Sequence, residues 1–336
     1  MAFPTYDAIL IQSFGGPEGP DDVIPFLENV LRGRNVPRQR LVEVAEHYQH
    51  FGGVSPINQQ CRDLIAALRS ELRPQGISLP IYWGNRNWHP FLADTLKSMQ
   101  RDGVRRVLRF VTSAFSSWSG CRQYLNDVVA SQEASQAKEL QFDKLRVFFN
   151  HPDFVAVVAE NVRQAMDALS RDSLSASRVV FTAHSIPVAM AKCCDYEKQL
   201  AESCRLIAEA VGLSNDQWDV VYQSRSGRPQ DPWLEPDVCD FIGDLHQRGT
   251  RQLVISPIGF LSDHMEVLYD LDREARDECD RHGITMRRAA TPGIHPRFIS
   301  MIRKLIQERV SGATRESVGL LPAHHDECPA DCCRES

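Results

Sequence analysis

Short runs of β-branched and apolar residues alternate with longer helix-like segments along most of this chain. The runs are Ala8–Ile11, Ile81–Trp83, Val107–Val111, Val179–Thr182, Val220–Tyr222 and Leu253–Ser256. Between them, segments such as 58–72 and 154–169 carry apolar residues at three- and four-residue spacing, the period of an amphipathic helix. Apolar strands separated by helices predict an α/β fold, with parallel sheet covered on both faces.

A weak internal repeat sharpens this expectation. Residues 101–112 (RDGVRRVLRFVT) parallel residues 247–257 (QRGTRQLVISP). In each, a helix closes near a glycine and a charged stretch leads into a strand. Two similar α/β halves are therefore expected, residues 1–150 and 151–295, meeting at Asn150-His151-Pro152-Asp153. A helix over 296–310 is expected to pack back on the first half. From Ser311 the apolar periodicity fades, so 311–336 reads as a Cys-rich tail that needs something to order it.

The chain has 336 residues, enough for two such halves. A formal net charge of −6 leaves no basic excess to neutralise phosphates, which argues against nucleic acid as the main partner. No basic stretch leads into an apolar one at the N-terminus, and no apolar run approaches about 18 residues. No transmembrane segment is expected, and the cytoplasm is the default location. Ten cysteines are many, but a disulfide scaffold does not suit a large domain in a reducing compartment. Cys328, Cys332 and Cys333 crowd the last nine residues, which is the unusual feature.

Ligands of such sheets bind beyond the carboxyl ends of the strands, so the residues just after each strand matter most. After the first run comes Ser13-Phe14-Gly15-Gly16-Pro17, where the glycines permit a tight turn or a close approach. The G-x-G-x-x-G spacing is absent, so no dinucleotide is implied. After the Val179 run comes His184, either satisfied by loop backbone or facing a ligand as a neutral imidazole able to bind metal or accept a proton. After the Leu253 run, Glu266, Asp270 and Glu274 recur every four residues and share one helix face. That column is either a solvated face, opened by a capping-box-like Asp263–Glu266 pair, or a path for metal. In the segment 223–236, Arg225, Arg228 and Trp233 suit a carboxylate and a flat apolar ring, or else a rigid Pro-rich loop. Arg86 and Trp88, after the Ile81 run, carry the same ambiguity.

Taken in order, the strings SFGGP (13–17), HYQHFGGVSPIN (47–58), GNRNW (84–88), FTAHSIP (181–187), PWLEP (232–236) and PIGFLSDHMEVLYDLD (257–272) resemble the ferrochelatase family over nearly the whole chain. The spelling FGGVSP at 51–56 and SSWSGCRQY at 116–124 resembles its actinobacterial branch. The resemblance implies two Rossmann-like domains with a porphyrin cleft between them. It implies His184 as the catalytic histidine and Glu266 as the facing carboxylate, both also ligands of the Fe²⁺ substrate. Asp270 and Glu274 would form a metal route. Ser55, Tyr124, Phe14, Arg86 and Trp233 would contact the porphyrin, with Arg86 or Arg228 meeting propionates. Some members carry a tyrosine where this chain has Phe14, so a phenolate ligand is not available there.

The branch points to coproporphyrin III as substrate in haem b biosynthesis, with protoporphyrin IX as the alternative. Several members hold a [2Fe–2S] cluster, for which the resemblance implies Cys328, Cys332 and Cys333, with Cys121 as the internal ligand and Cys194 as second choice. Two other functions fit part of the pattern. One is a chelatase inserting cobalt or nickel into another tetrapyrrole; the other is a non-enzymatic haem or iron–sulfur sensor.

Overall fold

The computed structural model describes residues 4–33, 36–169, 177–228, 230–329 and 332–334. Among these residues there are two four-stranded sheets. Strands β1 (Ala8–Ser13), β2 (Ile81–Asn85), β3 (Arg106–Val111) and β4 (Gln141–Lys144) form the first, in the order β2-β1-β3-β4. Strands β5 (Ser177–His184), β6 (Trp218–Gln223), β7 (Gln252–Ser256) and β8 (Thr285–Arg288) form the second, in the order β6-β5-β7-β8. Every pairing is parallel. The two sheets thus share one topology, and the repeated segments of the sequence occupy equivalent places as β3 and β7.

The repeat has a local cause. The helices Leu92–Arg101 and Val238–Gln247 both close on a left-handed glycine, Gly103 (φ 76°) and Gly249 (φ 86°). In each, the following residue donates back five positions, Val104 N–H to Met99 O and Thr250 N–H to Leu245 O, both 3.0 Å. This doubly bonded glycine stop turns the chain sharply from helix into strand.

Strands β4 and β8 were not legible in the sequence. Both are four-residue edge strands, reading QFDK and TMRR, whose polar and charged side chains suit a half-solvated edge. The six runs that were legible include the buried strands β1, β3, β5 and β7, whose apolar residues have both faces covered.

By contact density the chain divides into two compact units. The first comprises Met1–Thr112, Ser119–Arg146 and Ile302–Thr314; the second comprises Ser113–Trp118, Val147–Met301 and Arg315–Ser336. The first unit is cored by Ala8, Leu10, Leu96, Met99 and Val107, the second by Val180, Val221, Leu253, Ile255, Val267 and Leu271. The helix Pro296–Val310 begins in the second unit and ends in the first. At its end Glu308 accepts two hydrogen bonds from Arg146, each 2.9 Å, in a nearly fully buried ion pair. Such a pair is costly to break one side at a time.

Beyond that helix the chain has no further helix or strand among the described residues, yet it is held. Val318 N–H donates to Asn150 O at 3.0 Å, and Asn150 Nδ2 donates to Leu321 O at 2.6 Å. The Leu320 amide donates to buried Glu202. Gly319 has φ +86°, and a Cβ there would fall 2.1 Å from Glu202 Oε1. Residues 318–322 of the expected tail are thus held to the second unit by the Asn150 backbone and by the Asn150 and Glu202 side chains. No described helix is long and apolar enough to cross a membrane.

Candidate active site

His184 ends β5, where register pairs it with Gln223 at the end of β6. Both side chains therefore stand at the carboxyl rim of the second sheet. The loop after β7 reaches the same rim because Gly259 lets it. Gly259 N–H donates to Thr182 O at 3.1 Å, and a Cβ at 259 would lie 2.8 Å from Ala183 Cα. No side chain fits that approach without displacing the loop or the strand.

The loop then enters the helix Met265–Tyr269. Its cap is His264, whose Nδ1 accepts from Glu266 N–H at 3.2 Å. The expected Asp263–Glu266 capping box is corrected: Asp263 instead pairs with Arg288 at 3.1 Å and accepts from Thr291 at 3.2 Å. Burial holds His264 below its ordinary pKa, which suits an acceptor nitrogen. The cap orients Glu266, whose Oε1 lies 3.8 Å from His184 Nε2. His184 Nδ1 is bonded to the Ser185 carbonyl, an acceptor, so Nδ1 carries a hydrogen and, in the neutral ring, Nε2 is the nitrogen left to accept on the side of Glu266. Tyr196 Oη donates to the His184 carbonyl at 3.0 Å and fixes the strand end.

After Tyr269 the helix widens into a π-helical stretch, Asp270–Ala275, before returning to α-helix at Arg276–Arg281. Such widening often accompanies functional sites. Asp270 is held by two donors on the same oxygen: Ser224 Oγ, and Gln223 Nε2 at 3.3 Å. Gln223 Nε2 also donates to Glu266 O at 3.0 Å. Burial, and secondarily the neighbouring Glu266 and Glu274 charges, push the Asp270 carboxyl up to about 8 despite those hydrogen bonds. Glu274 is exposed. Of the three carboxylates, Glu266 is half-exposed beside His184, Asp270 is the most buried, and Glu274 faces solvent.

Trp233 is half-buried and lies on Gly227, where a Cβ would fall 2.0 Å from the indole nitrogen. Its loop is bonded to the His184 loop: Val188 N–H donates to Pro232 O and Leu234 N–H to Ile186 O, both 3.0 Å. Arg228 is exposed and pairs with Asp231 at 3.3 Å, while Arg225 Nη2 donates to the Arg228 and Asp231 carbonyls. Pro229 of this loop lies outside the described residues.

In the first unit, a second set gathers at the carboxyl rim of β1 and β2. Arg86 N–H donates to Ser13 O and Asn87 N–H to Phe14 O, both 3.0 Å, carrying the β2 loop onto the SFGGP turn. Ser55 is buried, and its Cβ lies where a Cβ on Gly16 would need to be, 2.7 Å away. Phe14 packs edge-on against Phe26 at 6.2 Å between centroids. Arg86 lies over the Tyr124 ring at 6.0 Å and pairs with Asp127 at 3.3 Å. Burial, offset by Arg86, raises the Asp127 carboxyl above its ordinary range, and burial raises the Tyr124 phenol. Cys121 is also in this unit, buried, and accepts from Lys144 Nζ at 2.9 Å. Cys194, in the second unit, donates to Met190 O at 3.3 Å.

The structure therefore brings together His184, Glu266 and Asp270, and separately Arg86 and Tyr124. Four further residues were missed as site members. Gln223 and Ser224 directly follow β6, where the rim rule points. His264 stands two residues before Glu266. Asp127 follows Tyr124 at helical spacing on Gln123–Ser135.

A parallel sheet whose rim presents an accepting imidazole opposite a carboxylate column defines a metal-handling α/β protein of the chelatase type. The family model described as Ferrochelatase matches residues 6–310. The chain is 56% identical over 332 residues to a ferrochelatase of Rhodopirellula baltica, covering 98% of this chain and 94% of that one. It is 47% identical over 350 residues to a coproporphyrin III ferrochelatase of Streptomyces coelicolor, covering 98% and 93% respectively. SirB of Bacillus subtilis, solved with Fe³⁺, shares the fold with a TM-score of 0.58 at 12% identity, covering 92% of this chain and 97% of its own. The chain belongs to the ferrochelatase family. It is an enzyme that inserts ferrous iron into a porphyrin, which sets aside the sensor reading.

Proposed function

We propose that the porphyrin is coproporphyrin III and that the His184–Glu266 pair performs the insertion. The observation that carries the chemistry is the 3.8 Å approach of His184 Nε2 to Glu266 Oε1, with the histidine's other nitrogen committed to Ser185. Metallation removes two pyrrole protons as Fe²⁺ enters. His184, in its neutral form, accepts each in turn at Nε2 and passes it to the half-exposed Glu266 carboxylate beside it, which releases it to water before the next is taken. Glu266 also meets the entering iron, with Glu274 and Asp270 as the route from solvent. Phe14, Ser55, Arg86, Tyr124 and Trp233 are the proposed porphyrin contacts. Arg86 is the group for a propionate, and it would exchange part of its bond to Asp127 for that contact.

The choice of coproporphyrin III rests on likeness to relatives of that name at 45–48% identity, in Streptomyces, Nocardia, Mycolicibacterium, Corynebacterium and Mycobacterium. Coproporphyrin III carries four propionates and is the more soluble of the two candidates. The test is anaerobic Fe²⁺ insertion with coproporphyrin III and protoporphyrin IX offered in competition. A coproporphyrin preference of tenfold or more in kcat/KM supports the reading; an equal or reversed preference overturns it.

A [2Fe–2S] cluster is proposed on the tail cysteines. The donor set fits: Cys332 and Cys333 place their sulfurs 3.5 Å apart, and the Cys328 sulfur lies within 4.8 Å of that of Cys332. Cys328, Cys332 and Cys333 would hold it with a fourth ligand, for which Cys121 is the internal candidate. Such a group would brace the tail and supply no step of the insertion.

A further inference from the structure

Cysteines are not the sole metal donors in the tail. The ligand atoms of His325, Cys328 and Cys332 all lie within 4.8 Å of one another. His325 Nε2 is 3.7 Å from Cys332 Sγ, and Cys333 Sγ is 3.5 Å from that same sulfur. A tetrahedral centre with metal–sulfur bonds of about 2.3 Å and a metal–nitrogen bond of about 2.05 Å has S···S edges of about 3.8 Å and S···N edges of about 3.6 Å. The His325–Cys332 and Cys332–Cys333 spacings are close to those edges.

The backbone is shaped for this grouping. Cys333 has φ 53°, the left-handed region that a non-glycine residue occupies only at a cost. That turn lets two neighbouring cysteines bring their sulfurs together, and Cys333 is buried. The approach to the knot is fixed by the protein itself, through Asn150 on Leu321 and through Arg315 paired with Asp326 at 2.8 Å. Cys121 has the Lys144 ammonium on its sulfur.

We propose that His325 is a metal ligand, forming with Cys328 and Cys332 a site for a thiophilic centre, with Cys333, whose sulfur lies 3.5 Å from that of Cys332, as the fourth donor. The same four donors suit a single tetrahedral Zn²⁺ or Fe²⁺ and a [2Fe–2S] cluster with imidazole on one iron. The second of these rests on the cluster reading above and replaces Cys121 as its fourth ligand.

The experiment uses the full chain and two probes. The metal-free protein is titrated with Co²⁺, and separately reconstituted anaerobically with iron and sulfide. Wild type, His325→Ala, His325→Cys and Cys121→Ser are compared, with thermal melts as the check on folding. The proposal predicts tetrahedral Co²⁺ bands in wild type and Cys121→Ser. It predicts at least a tenfold loss of Co²⁺ affinity in His325→Ala, recovered in His325→Cys. If a cluster forms, its reduced electron-spin signal should carry nitrogen hyperfine coupling that His325→Cys abolishes. A wild type that binds Co²⁺ but assembles no cluster overturns the cluster reading and leaves His325 in a mononuclear site. Binding that is lost in Cys121→Ser and untouched in His325→Ala, or no Co²⁺ binding at all, overturns the proposal.

Discussion

Ser224 has φ 61° with a side chain other than glycine, and its hydroxyl is spent on Asp270. Two substitutions separate these features. Ser224→Gly relieves the backbone but removes the donor; Ser224→Ala removes the donor and keeps the strain. Each loses the Asp270 bond, so Ser224→Ala should be the less stable by about 1 kcal/mol in chemical denaturation. Asp270 itself makes a pH prediction. It stays protonated in the folded protein up to about 8, whereas in an unfolded chain it ionises near pH ~4. Between those values the folded state binds the extra proton, so its contribution to stability falls as pH rises and is flat outside that window. Denaturant midpoints measured from pH 4 to 9 should show this fall in wild type and a shallower one in Asp270→Asn. Ser224→Ala should push the fall to higher pH, because the lost hydroxyl favoured the charged carboxylate. Arg86→Leu leaves Asp127 half-paired in a buried place and should cost about 1–3 kcal/mol, part of which Asp127→Leu restores in the double variant. At this scale position after strands singled out His184, Glu266 and Asp270 as candidates, and the family resemblance supplied the roles proposed for them. It did not name Gln223, Ser224 or His264, because serine, glutamine and an extra histidine carry no signal until register sets them against the carboxylates.

Gly259 shows what an element needs in order to deliver a residue. The loop from β7 crosses the end of β5 with no room for a methyl group, and the helix bearing Glu266 follows directly. Gly259→Ala should cost about 1–3 kcal/mol and reduce insertion by more than the unfolded fraction explains, since the loop is displaced relative to His184. A variant with unchanged turnover and an unchanged melting curve would contradict this. The helices and buried strands were legible because their apolar periods are strong: Ile57–Leu72 and Pro152–Asp167 fall within two residues of the segments read from spacing. Strands β4 and β8 were not, since an edge strand needs few apolar residues. The π-helical stretch at Asp270–Ala275 was also hidden, because four-residue spacing of carboxylates reads as ordinary α-helix.

At the scale of the whole molecule, one sheet topology occurs twice and the two copies carry different chemistry. The second copy presents His184 and its carboxylates; the first presents Arg86, Tyr124 and the SFGGP turn. The repeat was legible through two glycine-stopped helices. The central claim is that His184, with Nε2 kept as an acceptor opposite Glu266, carries out the insertion. Its most direct test is anaerobic single-turnover metallation of coproporphyrin III by wild type, His184→Ala and Glu266→Gln, with porphyrin binding measured separately by fluorescence quenching. The account predicts unchanged porphyrin affinity within threefold and an insertion rate lowered by about 10²–10⁴ in His184→Ala, with a smaller loss in Glu266→Gln. Full insertion rates in His184→Ala with porphyrin still bound would contradict it.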